Sequence, residues 1–391
     1  MKRRGAVLVF GPLFSIHLYR WCQFLKTAGF DVGVVAVGEG SRDFDYSSVA
    51  TVHALPTIEP RGRGRLIRAV ESRVRRCQRE AALRVTVRSY RVINFHWFAG
   101  YGDWGRFVRP GRRRSVLTCW GSDVNDVYCS LEGAEKERAD RVLRRSACIT
   151  YNAASVRDNL LSRCAGLSPS RLRQVDWGVD TVLFRPFSAE EKAEIRRELG
   201  FGPADRIILS PRLANPSYQV EKIVEWFLAR RFPAGWHLLV RVPPFNREDG
   251  YVQRLKHMAQ GNQRVRFDER NLDYKELPRL YALADFCVHH PRNDAISVSV
   301  LEGLACGCQH ILSSAVQSHR ELAGTYDVVL SDLDSLSPTD LERRLADASH
   351  SAAANRRLVE RHHSERVSIQ RIGEIFGARW SNQAPGGWDR C

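Results

Sequence analysis

Two successive series of short, unbroken apolar runs, separated by stretches of helical spacing, constrain this chain more than any other feature. In the first series Ala6–Phe10, Val32–Val37, Val92–Phe95, Ser115–Thr118 and Cys148–Thr150 read as strands. In the second, Arg206–Ser210, His237–Val242, Arg264–Phe267, Phe286–Val288 and His310–Leu312 do. Apolar residues at consecutive strand positions bury both faces, as a parallel sheet covered by helices requires. The opening segment shows the pattern in full. Gly11-Pro12 turns the chain, and Ile16–Thr27 places Leu18, Trp21, Cys22, Phe24 and Leu25 at helical spacing before Gly29 stops it. The expected fold is α/β, with two Rossmann-like doubly wound domains in series and a boundary near residue 186. Ligands of such sheets bind at the carboxyl ends of the strands, and two domains in series place a cleft between them.

Charge divides along the same boundary. The 391 residues carry a formal net charge of +16, but residues 1–185 hold 32 basic and 17 acidic side chains, against 28 and 27 in residues 186–391. A basic first half implies an anionic partner: nucleic acid, a membrane surface or a phosphorylated substrate. The 43% apolar content excludes a largely disordered chain, and no apolar run approaches the ~20 residues that cross a bilayer. Ten cysteines are scattered from Cys22 to Cys391 with one close pair, Cys306 and Cys308, and no CxxC pair. They read as buried thiols of a reducing, cytoplasmic compartment. His289-His290 is a poor metal pair, since adjacent strand residues face opposite sides.

Two basic or glycine-rich segments admit more than one reading. Gly100–Gly105 satisfies GxGxxG after a strand, with Asp123 about twenty residues on, but Pro110 leaves no room for the helix a dinucleotide fold needs. It reads as a glycine-rich loop. The segment Arg61–Arg91 holds eleven arginines and two glutamates, with Ile67, Val70, Val74, Cys77 and Ala81 on one helical face. With Arg106, Arg109 and Arg112–Arg114 it fits either an amphipathic helix lying on anionic lipid or a solvated surface helix. No recognisable nucleic-acid motif accompanies it, so no nucleic acid is expected.

The stretch Asn293–Gly307 is the most informative. Asp294 lies in a loop, Glu302 falls eight residues later inside an apolar helix, and Ser297, Val298 and Ser299 stand where that helix begins. Amides at a helix start bind phosphate, a loop carboxylate holds sugar hydroxyls, and Glu302 can accept from ribose hydroxyls. The alternative is a core helix with one exposed glutamate.

Asp294–Gly307 resembles the E-x7-E signature of the family 4 glycosyltransferases, including its Glu-(Ala/Gly)-Met-Ala-Cys-Gly helix. Five further segments resemble that family in the correct order: Ser15–Trp21; His96-Trp97 with Gly100 and Gly102; Trp120–Val124; Trp177–Pro186; and Ser210–Arg212. The resemblance implies the GT-B fold: an acceptor-binding domain (1–186) and a nucleotide-sugar domain (187–365), facing each other across a cleft. A C-terminal helix then crosses back to the first domain, followed by a loose tail (366–391). It implies a nucleotide-diphosphate sugar as co-substrate, retention of configuration, and neither cofactor nor metal. By resemblance Glu302 binds the donor ribose, Asp294 the transferred sugar and Arg212 the diphosphate. His96 stands near the reacting centre, with Gly11, His17, Trp97 and Asp123 on the acceptor side. Two departures stand out: Asp294 replaces the first glutamate, and Tyr218-Gln219 replaces a Lys-Gly pair, with Lys222 displaced.

An inverting enzyme would need a base from the first domain, with His17, His96, Asp103 or Asp123 as candidates. A sugar-nucleotide epimerase of the same fold and a non-catalytic basic adaptor for membrane or nucleic acid are the rival functions. The acceptor is read as a glycan, a lipid-linked sugar or a small molecule, with Arg61–Arg114 as a candidate peripheral membrane face.

Overall fold

The computed structural model describes residues 5–37, 44–54, 74, 78, 80–97, 114–245 and 248–377. The GxGxxG segment 100–105, most of 61–91 and the tail beyond 377 lie outside the described residues. The chain divides into two compact units: unit 1 comprises residues 1–152, 156–177 and 368–391, and unit 2 residues 153–155 and 178–367. The division falls between Trp177 and Gly178, where the sequence pattern had put it after Pro186.

Unit 1 runs β1 (Ala6–Gly11), α1 (Ile16–Thr27), β2 (Asp31–Ala36), β3 (Thr51–His53), a helix α2 over 80–88, β4 (Val92–His96) and β5 (Arg114–Thr118). It continues through α3 (Gly133–Arg145), β6 (Cys148–Tyr151), α4 (Ala154–Arg163) and β7 (Leu172–Gln174). The seven strands are parallel in the order β3-β2-β1-β4-β5-β6-β7. Every strand expected from the sequence is present. The short edge strands β3 and β7 are additions, too brief to register as apolar runs. Of the apolar stripe read across 67–81, Val74 and Ala81 are exposed and Ile67, Val70 and Cys77 lie outside the described residues, while α2 buries Leu83 and Val87, one turn apart. The end of the chain belongs here too. Within α13 (Glu365–Gly377), Phe376 packs against Trp21 and Phe30, and Arg371 pairs with the buried Asp176 at 3.0 Å.

Unit 2 runs α5 (Ala189–Glu198), β8 (Arg206–Ser210), α6 (Val220–Ala229), β9 (Trp236–Arg241), α7 (Asp249–Met258) and β10 (Val265–Asp268). Next come α8 (Leu277–Leu283), β11 (Phe286–His289), α9 (Val298–Ala305), β12 (Gln309–Leu312), α10 (Gln317–Ala323), β13 (Val329–Leu330), α11 (Pro338–Ala346) and α12 (Ala348–His362). Its six strands are again all parallel, ordered β10-β9-β8-β11-β12-β13. Arg356 of α12 donates to the carbonyl of Ala305 at 2.9 Å and to those of Thr181 and Phe184, so one side chain ties the end of α9 to the start of the unit.

Among the described residues, no helix is long and apolar enough to cross a membrane. Eight described cysteines are free thiols, all buried except the half-buried Cys129.

The centre of unit 1 is polar. Asn94, fully buried on β4, accepts from the indole N–H of Trp21 at 2.9 Å and donates to Thr118 Oγ1 (2.8 Å) and the Val116 carbonyl (3.1 Å). One amide thus couples α1, β4 and β5. Asn94→Ala leaves several buried groups unsatisfied, and the expected loss is about 2–4 kcal/mol, since each buried orphan costs about 1–3 kcal/mol. Denaturant unfolding measures it, and a loss below about 1 kcal/mol contradicts the role given to Asn94.

Candidate active site

In a doubly wound sheet the connections after the two central strands run to opposite sides, which opens a crevice at their carboxyl ends. In unit 2 those strands are β8 and β11. Arg212 follows β8, and Asp294 lies between β11 and α9, so the strand order alone brings them together. The Arg212 Nη1 lies 3.4 Å from Asp294 Oδ2. It also donates to Ser297 Oγ and, at 3.5 Å, to Ser299 Oγ, and these two hydroxyls lie 2.8 Å apart. Its guanidinium stacks over the Tyr218 ring at 3.9 Å, a cation–π contact that fixes the plane of the fork. Burial works against the Arg212 charge, but Asp294 and Tyr218 more than offset it and hold the pKa above its ordinary value.

Tyr218 closes a short 3-10 turn capped by Asn215, and Gln219 then takes a left-handed conformation (φ 47°, ψ 43°) before α6. Tyr218 and Gln219, where the resemblance led one to expect a Lys-Gly pair, therefore supply a stacking ring and a left-handed turn. Lys222 is exposed on α6.

At the start of α9, Ser297 has extended backbone angles, but its side chain makes no cap. Its hydroxyl is turned to Arg212 instead, and Val298 is the first helical residue. One turn on, Glu302 is 5% exposed and accepts from the Tyr281 hydroxyl at 3.2 Å. That burial removes the reading of Glu302 as an exposed surface glutamate. Burial, then the Glu302 charge, raises the Tyr281 pKa well above its ordinary value, so the phenol stays protonated and donating. A guanidinium, two hydroxyls and a helix start beside two carboxylates can hold a phosphate group together with polyol hydroxyls.

In unit 1 the central pair is β1 and β4. Gly11 ends β1, and a Cβ there would meet Leu18 Cδ1 at 2.7 Å and His96 Cβ at 3.2 Å, so a larger residue would displace the Leu18 side chain. Trp120 organises the remaining predicted residues. Its indole N–H donates to His96 Nδ1 at 3.0 Å, and its backbone N–H donates to Asp123 Oδ1 at 2.9 Å. Its ring meets those of His17 (5.6 Å), Trp97 (5.6 Å) and Trp177 (5.5 Å). Trp97 holds a positive φ of 59°, an uncommon state for a non-glycine residue.

His96, expected near the reacting centre, is fully buried, and both its ring nitrogens are engaged. An indole only donates, so Nδ1 must accept from Trp120, and Nε2–H is left to donate to Asn94 Oδ1 at 3.0 Å. No lone pair remains for an acceptor hydroxyl. His96 positions Trp120, and Trp21, Trp120 and Trp177, quoted in the motifs without a role, make up the aromatic surroundings together with Trp97.

Residues 6–152 match the family described as glycosyl transferase 4-like. Among solved structures, sucrose-phosphate synthase from Thermosynechococcus elongatus is similar at a TM-score of 0.73 and 16% identity, covering 95% of this chain and 98% of that one. Anabaena HepE in complex with UDP gives a TM-score of 0.74 at 14% identity, covering 95% and 99%. HepE in complex with UDP-glucose gives 0.72 at 14%, with the same coverage. No curated protein sequence matches the chain. The chain has the GT-B glycosyltransferase fold, and its first unit carries the glycosyl transferase 4-like region.

Burial, then the nearby His17, lowers the His96 pKa to about 3. An unfolded histidine titrates near 6.5, so the unfolded state alone takes up a proton between about pH 6.5 and 3. Stability contributed by neutral His96 is therefore complete above about pH 6.5 and is lost as pH falls. From pH 7 to 5 this one residue accounts for about 2 kcal/mol. Denaturant titrations at the two pH values are expected to show a smaller drop for His96→Gln than for the parent, and equal drops exclude it.

Proposed function

We propose that this chain is a glycosyltransferase that moves a sugar from a nucleotide-diphosphate donor to an acceptor hydroxyl. The observation that carries the reading is the group formed by Arg212, Asp294, Ser297 and Ser299 at the carboxyl ends of β8 and β11, with Glu302 one turn further along α9. In this reading Arg212 and the first amides of α9 take the diphosphate. Asp294 takes hydroxyls of the transferred sugar, and Glu302, held by Tyr281, takes those of the ribose. The Arg212 charge and the helix-start amides stabilise the leaving diphosphate, the task a metal performs elsewhere. Transfer without a metal and with retained configuration belongs to the same proposal.

The HepE structures hold UDP and UDP-glucose, which makes a uridine-diphosphate sugar the first donor to test. Acceptor recognition is assigned to unit 1, where His17, Trp97 and Asp123 gather around Trp120 and Gly11 lies against His96. Its basic sequence supports a phosphate-bearing or lipid-linked acceptor at an anionic membrane face.

Purified protein is to be given a panel of labelled nucleotide sugars, with and without glycan and lipid-phosphate acceptor fractions. The expected outcome is an acceptor-dependent labelled product. Arg212→Ala is expected to lower kcat by about 10²–10³-fold, the usual effect of deleting one donor to a developing charge. Glu302→Ala is expected to act mainly on the KM for the donor. Full turnover by both variants would sink the assignment, and isomerised sugar released without any acceptor would favour an epimerase.

A further inference from the structure

Beneath α9 lies a cluster that the donor site does not use. Cys287 on β11 pairs across the parallel ladder with His310 on β12. Cys308 stands two residues before His310 and so on the same face of the sheet. The ligand-capable atoms of Cys287, Cys308 and His310 all lie within 4.8 Å of one another, and the two sulfurs are 3.2 Å apart. All three side chains are buried. Among the described residues, neither ring nitrogen of His310 has a hydrogen-bond partner. A buried polar group left in that state costs about 1–3 kcal/mol and calls for a partner such as an ion. The imidazole packs directly against α9, where a Cβ on Gly303 would stand 2.4 Å from its Nε2. Cys308 Sγ lies 3.7 Å from the Ala284 carbonyl and 3.4 Å from that of Gln309, weak sulfur contacts that leave the cluster without a strong internal partner.

We propose that Cys287, Cys308 and His310 form a structural binding site for a soft d10 cation, Zn2+ or Cu+, that ties β11 to β12 under the helix carrying Glu302. Two sulfurs and an imidazole are the donor set such ions prefer. Binding replaces the two thiol protons, which leave to solvent, so Zn2+ with two thiolates and a neutral imidazole carries no net charge. That neutrality suits a buried site and favours Zn2+, whereas three ligands without a fourth suit Cu+. At Zn–S bonds of about 2.3 Å the sulfurs of a tetrahedral site stand about 3.8 Å apart, so they need separate by only about half an ångström.

The test uses the full chain, reduced, stripped by a chelator, and titrated in two arms. One arm adds Zn2+ against a chromophoric chelator; the other delivers Cu+ from a Cu+-selective chelator. One equivalent of one of these ions per chain is expected to survive desalting. Affinity is expected to fall by at least 100-fold in Cys287→Ser and in Cys308→Ser, and to stay unchanged in Cys148→Ser, a buried thiol of unit 1. A measurement on the unaltered chain covers the case where a variant does not fold: Co2+ is expected to give thiolate-to-metal charge-transfer absorption. No retained metal in either arm, undiminished binding in both serine variants, or a Cys287–Cys308 disulfide in the reduced, metal-free preparation overturns the proposal. Each readout is metal binding, so the outcome is independent of whether the chain transfers sugar.

Discussion

Both candidate sites follow from one constraint, the placing of the first strand of each unit inside its sheet. β1 lies between β2 and β4, and β8 between β9 and β11. A chain that winds outward in both directions from such a pair must leave their carboxyl ends uncovered. Residues far apart in sequence then converge there without any further device. Arg212 meets Asp294 across 82 positions, and Gly11 meets His96 across 85.

The two convergences carry different chemistry. In unit 2 a charged fork is held by a carboxylate, two hydroxyls and a tyrosine face. In unit 1 a neutral imidazole is held by an indole and an amide, and the surrounding surface is aromatic. The difference runs against what net charge suggests, because the basic half of the sequence builds a largely aromatic site and the neutral half builds the one with the cation. A few positioned charges in a partly buried site weigh more than a surplus spread along the sequence.

The sheets were legible because strands buried on both faces write unbroken apolar runs, and Ile16–Thr27 was legible through its periodicity and the glycine after it. Glu302 stood out in the sequence because a charge amid Val300, Leu301, Leu304 and Ala305 is costly unless it is paired, whereas its partner Tyr281 comes from another helix. The hydrogen bonds of His96 were not legible for a physical reason: its motif says nothing of what the ring nitrogens touch. Its partners, Trp120 and Asn94, are fixed by the neighbouring strand and by the spacing along β4. The Cys287, Cys308 and His310 cluster was invisible for a related reason. Metal motifs are recognised by local spacing, whereas these ligands sit 21 residues apart on adjacent strands. The Tyr218 stack on Arg212 likewise depends on the left-handed turn at Gln219, which the sequence does not announce.

One nitrogen of Arg212 faces a carboxylate and two hydroxyls at once, while the guanidinium lies flat on a tyrosine ring. Under the donor reading proposed above, an anion taken by Arg212 competes with Asp294 for that nitrogen. Seating the diphosphate would then release the carboxylate toward the sugar it carries, so that the carrier is read before its cargo.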